Sequence, residues 1–290
     1  MSKKNDSQEI ILEDIDFDQY TFYCNTTQSI AIKLLSEAIK DFTDEVNILL
    51  TEKAMSIEMT HKSQACLGKI VLVGEQFEIY HCPYEFFIGI QLKCLYLALK
   101  SISDDGILSM YIYKNDSSKM YLKYCNKGVE IVSTISHITV DYTELENFDV
   151  IPFSYVVNMP VKEFQKNIKD LNSIHDHNKI KICVEDGKFI MSSVPGPVSM
   201  TDTKMTFTSA YDISIEKVEE DENIPEEYRN MAERNIYIGK LLSSITKSGN
   251  VSTTVDIMIC KQPLVLIYSI GTLGSIKYII MPMCEPDDED

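Results

Sequence analysis

The sequence predicts an α+β fold dominated by antiparallel sheet and assembled from one unit used twice. Most of the chain falls into short alternating or β-branched runs separated by turn signals such as KNDSS, EDG and CKQP, the pattern of strands paired in hairpins. Four segments switch from that period of two to the helical period of 3.6. The order of these elements then recurs in the second half of the chain.

In chain order, residues 1–20 read as an acidic N-terminal tail, in which Asp14, Asp16 and Asp18 alternate with apolar residues. The first helix is predicted over Ile30–Phe42, with Ile32, Leu35, Ile39 and Phe42 as its apolar stripe and Lys33, Glu37 and Lys40 opposite. The second, Gln91–Ile102, turns Leu92, Leu95 and Leu99 inward and Lys93, Tyr96 and Lys100 outward. The third, Val161–Ile174, sets Phe164, Ile168 and Leu171 against Lys162, Lys166 and Lys169. The fourth, Ile236–Lys247, sets Ile238, Leu241, Leu242 and Ile245 against Lys240, Ser243 and Lys247. The segments after the first and third helices match in pattern, VNILLTEKAMSIEM beside KIKICVEDGKFIMS. Residues 21–140 and 153–284 are therefore read as two copies of one domain, joined by a connector at 141–152 that carries Tyr142, Leu145, Phe148, Val150 and Ile151. Residues 285–290 are an acidic C-terminal tail.

Charge narrows the function. Against 44 Asp and Glu the 290-residue chain has 27 Lys and Arg, a net charge of −17, which excludes a generally basic nucleic-acid coat or a polybasic membrane binder. The longest apolar stretches, such as Pro263–Ile270, fall well short of the ~20 residues that span a bilayer, so no membrane is expected. The N-terminus MSKKNDSQEI has no secretory apolar core, and the eight cysteines contain no C-x-x-C. They are read as free thiols of a protein that is not secreted, and no metal or other cofactor is expected. The five histidines form no H-E-x-x-H, and there is no Gly-rich phosphate loop and no G-x-S-x-G, so the chain is not read as an enzyme. His175-x-His177 is placed in a turn after the third helix.

Within this acidic chain nine lysines, Lys33, Lys40, Lys93, Lys100, Lys162, Lys166, Lys169, Lys240 and Lys247, occupy the outer faces of the four helices, a third of the 27 basic residues. Helices lying side by side on one sheet would make one face positive and leave the rest negative, so that a polyanion is met on one side only. With lysine rather than arginine, and with Tyr96 as the one interleaved aromatic, such a face holds phosphates without reading bases.

The segments SEAIKDFTDEVNILLTEKAMSIEMTH, FEIYHCPYEFFIGIQLKCLYLALKS, MPVKEFQKNIKDLNSIHDHNKIKICVEDGKFIMSS and TKSGNVSTTVDIMICKQPLVLIYSIGTLGSIKYIIMP resemble DNA sliding clamps of the proliferating cell nuclear antigen family, and the resemblance covers about residues 21–284. It implies two similar domains per subunit, closed as a homotrimeric ring with helices lining a channel around double-stranded DNA and sheets outside. The partners it implies are a clamp loader, DNA polymerase and other clamp-binding-motif proteins, at the nucleus or another site of replication. An unlike subunit of a heterotrimeric or checkpoint clamp, or a scaffold that never encircles DNA, is the alternative.

By this resemblance Lys33, Lys40, Lys100, Lys166, Lys169, Lys240 and Lys247 match basic channel positions, Lys93 and Lys162 match less well, and Leu97 replaces a basic residue. The partner-peptide pocket maps to Met59, Phe148, Val150, Ile151, Pro263, Ile279 and Met281. Ile279 stands where the family has tyrosine and the connector is shortened, implying altered peptide preference. Ring closure is expected through edges at Lys119–Cys125 and Pro197–Met205. The segment Asn223–Arg234 departs from the family pattern and carries no functional reading.

Overall fold

The computed structural model describes residues 15–104, 106–141, 152–174, 179–195, 202–210, 212–218 and 234–283. The first half runs β1 (Tyr20–Thr26), α1 (Ser29–Ile39), β2 (Glu45–Leu50), β3 (Ala54–Thr60), β4 (Cys66–Val73), β5 (Ile79–His81), β6 (Phe86–Gln91), α2 (Leu92–Leu99), β7 (Ile107–Tyr113), β8 (Asp116–Asn126) and β9 (Val129–Ser136). The second runs β10 (Tyr155–Pro160), α3 (Val161–Asn172), β11 (Lys179–Glu185), β12 (Lys188–Ser193), β13 (Lys204–Phe207), β14 (Ser214–Lys217), β15 (Ile236–Ile238), α4 (Gly239–Thr246), β16 (Thr254–Ile259), β17 (Leu264–Ile270) and β18 (Gly274–Ile280).

Strand order makes the internal repeat explicit. The first half forms β5-β1-β7-β8-β9 and β6-β2-β3-β4, the second β14-β10-β16-β17-β18 and β15-β11-β12-β13, so each strand has a counterpart nine places later. The halves fuse where β18 pairs antiparallel with β4, from Gly274↔Leu72 to Ile280↔Cys66, giving one nine-stranded sheet. At the start of that seam a Cβ on Gly274 would lie 1.9 Å from the Val71 carbonyl oxygen, so only glycine lets the strands approach there.

Alternation decides which face each strand buries. β2, β3 and β4 leave every second residue at least partly exposed, while Val46, Ile48, Leu50, Ile57 and Ile70 turn inward to meet the helices. The helices bury the stripes their spacing predicts: Ile32, Leu35 and Ile39 on α1, Leu92, Leu95 and Leu99 on α2, Phe164, Ile168 and Leu171 on α3, Leu241, Leu242 and Ile245 on α4. Each large side chain so buried contributes roughly 1.5–3 kcal/mol, and all of these stripes join one core that runs through both halves.

Two expectations need correction here. The fourth helix begins at Gly239, because Ile236–Ile238 pair with β11 as a strand, and Ile238 is consequently exposed instead of lying on the helix's apolar stripe. Lys119–Cys125 is not an edge: it lies within β8, which pairs with β7 on one side and β9 on the other. Lys127 and Gly128 both take positive φ, 48° and 80°, and this tight turn folds β9 back as the true edge. At the other expected edge the described residues place β13 outermost, beside β12. Connector residues 142–151, His175, His177, residues 197–201, residues 1–14 and the C-terminal tail lie outside the described residues, as does most of the Asn223–Arg234 segment; the expected N-terminal tail is shorter than 1–20, since Phe17–Gln19 form a helical turn and Tyr20 begins β1.

Candidate nucleic-acid face and partner-docking surface

Each helix carries two lysines seven residues apart: Lys33 and Lys40 on α1 and its cap, Lys93 and Lys100 on α2 and its cap, Lys162 and Lys169 on α3, Lys240 and Lys247 on α4 and its cap. Seven residues are close to two turns, so both members of each pair project on the same side, about 10 Å apart along the axis. Lys166 adds a third on α3. Seven of the nine are exposed; Lys33 and Lys40 are half-buried.

Those two tie helices together. The Lys33 ammonium donates to the Ile102 carbonyl oxygen at 2.6 Å, just past the C-terminal end of α2, where a cation satisfies an orphan carbonyl. The Lys40 ammonium lies over the Tyr96 ring, 4.0 Å from its centre. In the second half the equivalent helices are joined by neutral bonds: Asn172 Nδ2 donates to the Gly239 carbonyl oxygen at 2.8 Å, and Gln165 Nε2 to the Thr246 carbonyl oxygen at 2.6 Å.

The electrostatic contrast is between the two sides of the molecule. Among the described residues no acidic side chain pairs with any of the nine helix lysines, although Glu37, Glu163 and Asp170 share their helices. Several lysines of strands do have acidic partners: Lys69 meets Glu58 at 3.2 Å, Lys123 meets Glu130 at 2.9 Å, and Lys181 and Lys204 share Glu185 at 3.0 and 3.6 Å. Part of the positive charge on the strands is thus locally neutralised, while the seven exposed helix lysines have no acidic partner among the described residues. Leu97 is 53% exposed between Lys93 and Lys100, an apolar gap in the α2 row.

On the opposite face, Ile279, Val265 and Cys260 form a small separate cluster, flanked by Leu67, Phe153, Met258 and Ile267. Pro263 is buried at the entry to β17, and Met281, 45% exposed, follows β18 with its N–H bonded to the Ala65 carbonyl oxygen at 2.9 Å. Burial pushes the Cys260 thiol up to about 12, which keeps it protonated and makes it an apolar part of this cluster. Phe148, Val150 and Ile151 lie outside the described residues.

Met59 does not belong to this surface. It pairs with Gly68, which pairs in turn with Tyr278, whereas Ile279 is one residue further along β18 and projects to the other face. A Cβ on Gly68 would meet Met59 Cε at 2.8 Å and Phe42 Cζ at 3.4 Å, so Met59 fills the space over the glycine on the helix side and is only 3% exposed. The sequence reading overlooked Val265, Leu67 and Met258. The signal was the unbroken apolar run Leu264–Tyr268: a strand covered on one face would alternate, and this one is covered on both.

The seven described cysteines are free thiols, and no group of three or more metal-ligating side chains occurs among the described residues. No helix there is long and apolar enough to cross a membrane.

Comparison with known proteins agrees with this architecture. Residues 22–144 match the family described as proliferating cell nuclear antigen, N-terminal domain, and residues 148–283 match the proliferating cell nuclear antigen, C-terminal domain. A probable DNA polymerase sliding clamp 1 of Paramecium bursaria Chlorella virus 1 is 25% identical over 276 residues, covering 93% of this chain and 99% of the relative. The crystal structure of proliferating cellular nuclear antigen from Entamoeba histolytica superposes with a TM-score of 0.77 at 18% identity, covering 91% of this chain and all of that one. With both domains matched in order and together spanning nearly its whole length, the chain belongs to the proliferating cell nuclear antigen family of DNA sliding clamps.

Proposed function

We propose that three copies of this chain close head to tail into a ring that encircles duplex DNA at sites of replication and tethers DNA polymerase and other partners to it. The supporting observation is the row of seven exposed helix lysines, Lys93, Lys100, Lys162, Lys166, Lys169, Lys240 and Lys247, with no acidic partner among the described residues. Phosphate contacts through flexible ammonium groups are individually weak and insensitive to sequence, as sliding requires. An acidic exterior repels DNA, so that threading rather than gripping provides retention.

The internal repeat supports the mode of closure. Within one chain β18 pairs with β4; their counterparts β9 and β13 remain as edges, and the same pairing applied between chains uses them both. Ile131 and Ile135 on β9, and Met205 and Phe207 on β13, face the core side and would continue the buried face across the junction. Met281, exposed beside the buried Ile279 and Pro263, would with the connector residues Phe148, Val150 and Ile151 receive the apolar anchors of partner peptides.

Replacing Lys100, Lys166, Lys169 and Lys240 together by alanine tests the reading. Polymerase processivity on primed DNA with the cognate loader falls, and falls further as salt is raised, if these lysines face the duplex. Unchanged processivity rejects the assignment.

A further inference from the structure

The outer face of the first half carries a layer of five tyrosines. Strands β1, β7 and β8 pair side by side, and alternation puts Tyr23 of β1, Tyr111 and Tyr113 of β7 and Tyr121 of β8 on the side away from the core. A register shift between Tyr20 and Phe22 brings Tyr20 onto the same side. The rings are contiguous: Tyr111 stacks on Tyr121 with centroids 5.4 Å apart, Tyr20 stacks on Tyr113 at 5.2 Å, and Tyr113 meets Tyr121 edge-on at 5.2 Å. Tyr111 is buried among them, while the other four stay partly exposed. Their polar tips are served locally, since the Tyr23 hydroxyl lies 3.4 Å from Ser109 Oγ and the Tyr121 hydroxyl donates to the Asp116 carboxylate at 3.4 Å. The ring faces are left as apolar surface.

The internal repeat supplies an equivalent for comparison. β1, β7 and β8 correspond to β10, β16 and β17, and the outer face of the latter two carries Met258, Val265 and Ile267 of the Ile279 cluster. Phe153, two residues before β10, packs against that cluster. Phe17, three residues before β1, takes the same part in the first half: its ring meets Tyr23 edge-on at 6.2 Å and stacks on His81 at 4.7 Å. Each half thus has a phenylalanine, just ahead of its first strand, laid on its outer face. The tyrosine layer extends two strand spacings beyond that point, about 10 Å from β1 to β8.

The chain that arrives at Phe17 is residues 1–14, which lie outside the described residues and include Ile10, Ile11 and Leu12. Counted back from Ile15 at about 3.3 Å per residue, an extended run spans about 10 Å at Leu12 and about 17 Å at Ile10, enough to cross from β1 to β8. We propose that this N-terminal segment is the occupant of the tyrosine layer, with Ile10, Ile11 and Leu12 lying on the faces of Tyr113 and Tyr121. Their burial against the rings would remove apolar surface from water on both sides. The outer face of the first half would then be closed by the chain itself, leaving the Ile279 face for partner anchors; that consequence rests on the docking reading, whereas the contact does not.

Nitration of the full-length protein by tetranitromethane, mapped by peptide mass, tests the contact. Tyr113 and Tyr121 are expected to react about fivefold more slowly in the parent than in Ile10→Ser/Ile11→Ser/Leu12→Ser, while Tyr84, 53% exposed between β5 and β6, reacts alike in both. Isotope-labelled parent mixed with an excess of the unlabelled variant should keep its protection. Amide exchange over residues 10–14 should in turn speed up in Tyr113→Ser/Tyr121→Ser. Equal nitration in parent and variant, or exchange that ignores the tyrosines, overturns the proposal. Protection that survives the triple substitution assigns the cover to another protein, and protection lost on mixing assigns it to a second copy; either result also overturns it.

Discussion

The ammonium of Lys40 on α1 sits 4.0 Å from the centre of the Tyr96 ring on α2, so a residue placed by sequence in a DNA-facing row is engaged in holding two helices together. Lys33 is similarly committed to the Ile102 carbonyl oxygen. The nine helix lysines therefore divide into two that tie helices together and seven that are exposed. Lys33→Ala is expected to destabilise the fold by about 1–2 kcal/mol because a carbonyl loses its charged donor, and Tyr96→Ala by about 1 kcal/mol or more. Lys166→Ala and Lys169→Ala should stay within about 0.5 kcal/mol of the parent. Urea unfolding of the four variants measures this, and equal costs would remove the distinction.

The proposed function predicts the same division in DNA binding. Each exposed lysine that meets a phosphate adds about 0.9 to the slope of log affinity against log salt. Removing Lys166 and Lys169 should flatten that slope, whereas Tyr96→Ala should change it little. A salt titration with short duplex DNA reads both.

At the seam between the halves, Gly274→Ala forces a methyl group against the Val71 carbonyl oxygen. Overpacking of this kind costs about 1–3 kcal/mol. The effect should include altered hydrogen exchange on both β18 and β4, because the seam is their shared ladder. Exchange that changes only in the second half would separate the seam from the strain.

Ring closure through β9 and β13 makes a further prediction. Ile131→Glu and Met205→Glu place carboxylates on the core-side faces of the two edges, where the monomer leaves each partly exposed. Sedimentation at micromolar concentration should show the parent as a trimer and each variant as a folded monomer. A variant that retains the parental mass would move closure elsewhere.

Stability should also depend on pH in two stages. Desolvation holds His61, His81 and His137 below the ordinary histidine value of 6.5, with Lys62 adding to the effect at His61 and Lys114 at His81. Folding disfavours their protonation, so as pH falls below 6.5 the unfolded chain gains protons that the folded chain takes up less readily, and stability declines. Hydrogen bonds from Ser118 to Asp116, from Lys123 to Glu130 and from Lys181 to Glu185 hold those carboxyls below their ordinary values of 3.8 and 4.5. Their contribution is present above those values and is lost only at lower pH. Urea midpoints between about pH 7.5 and 5.5 should fall in the parent and fall less when the three histidines are replaced by glutamine.

Much of this was legible in the residues. The lysine rows and helix stripes follow from a period of 3.6, and the two-domain repeat from the order of elements. The error at Met59 arose because family position does not determine strand parity: its face follows from pairing with Gly68 and Tyr278, which only the register reveals. The misplaced edge had a similar origin, since Lys119–Cys125 looks like an edge until the Lys127-Gly128 turn brings β9 onto it. The roles of Lys33 and Lys40 as helix ties depend on helix–helix distance, which has no signature along the chain.

Retention on closed DNA tests the central claim most directly. Protein loaded by its cognate loader onto a nicked circular plasmid, then washed in salt high enough to screen lysine–phosphate contacts, should remain bound to the circle and be released when a single cut linearises it. Protein that washes off the intact circle, or that stays after linearisation, would show that it is not held there by encirclement.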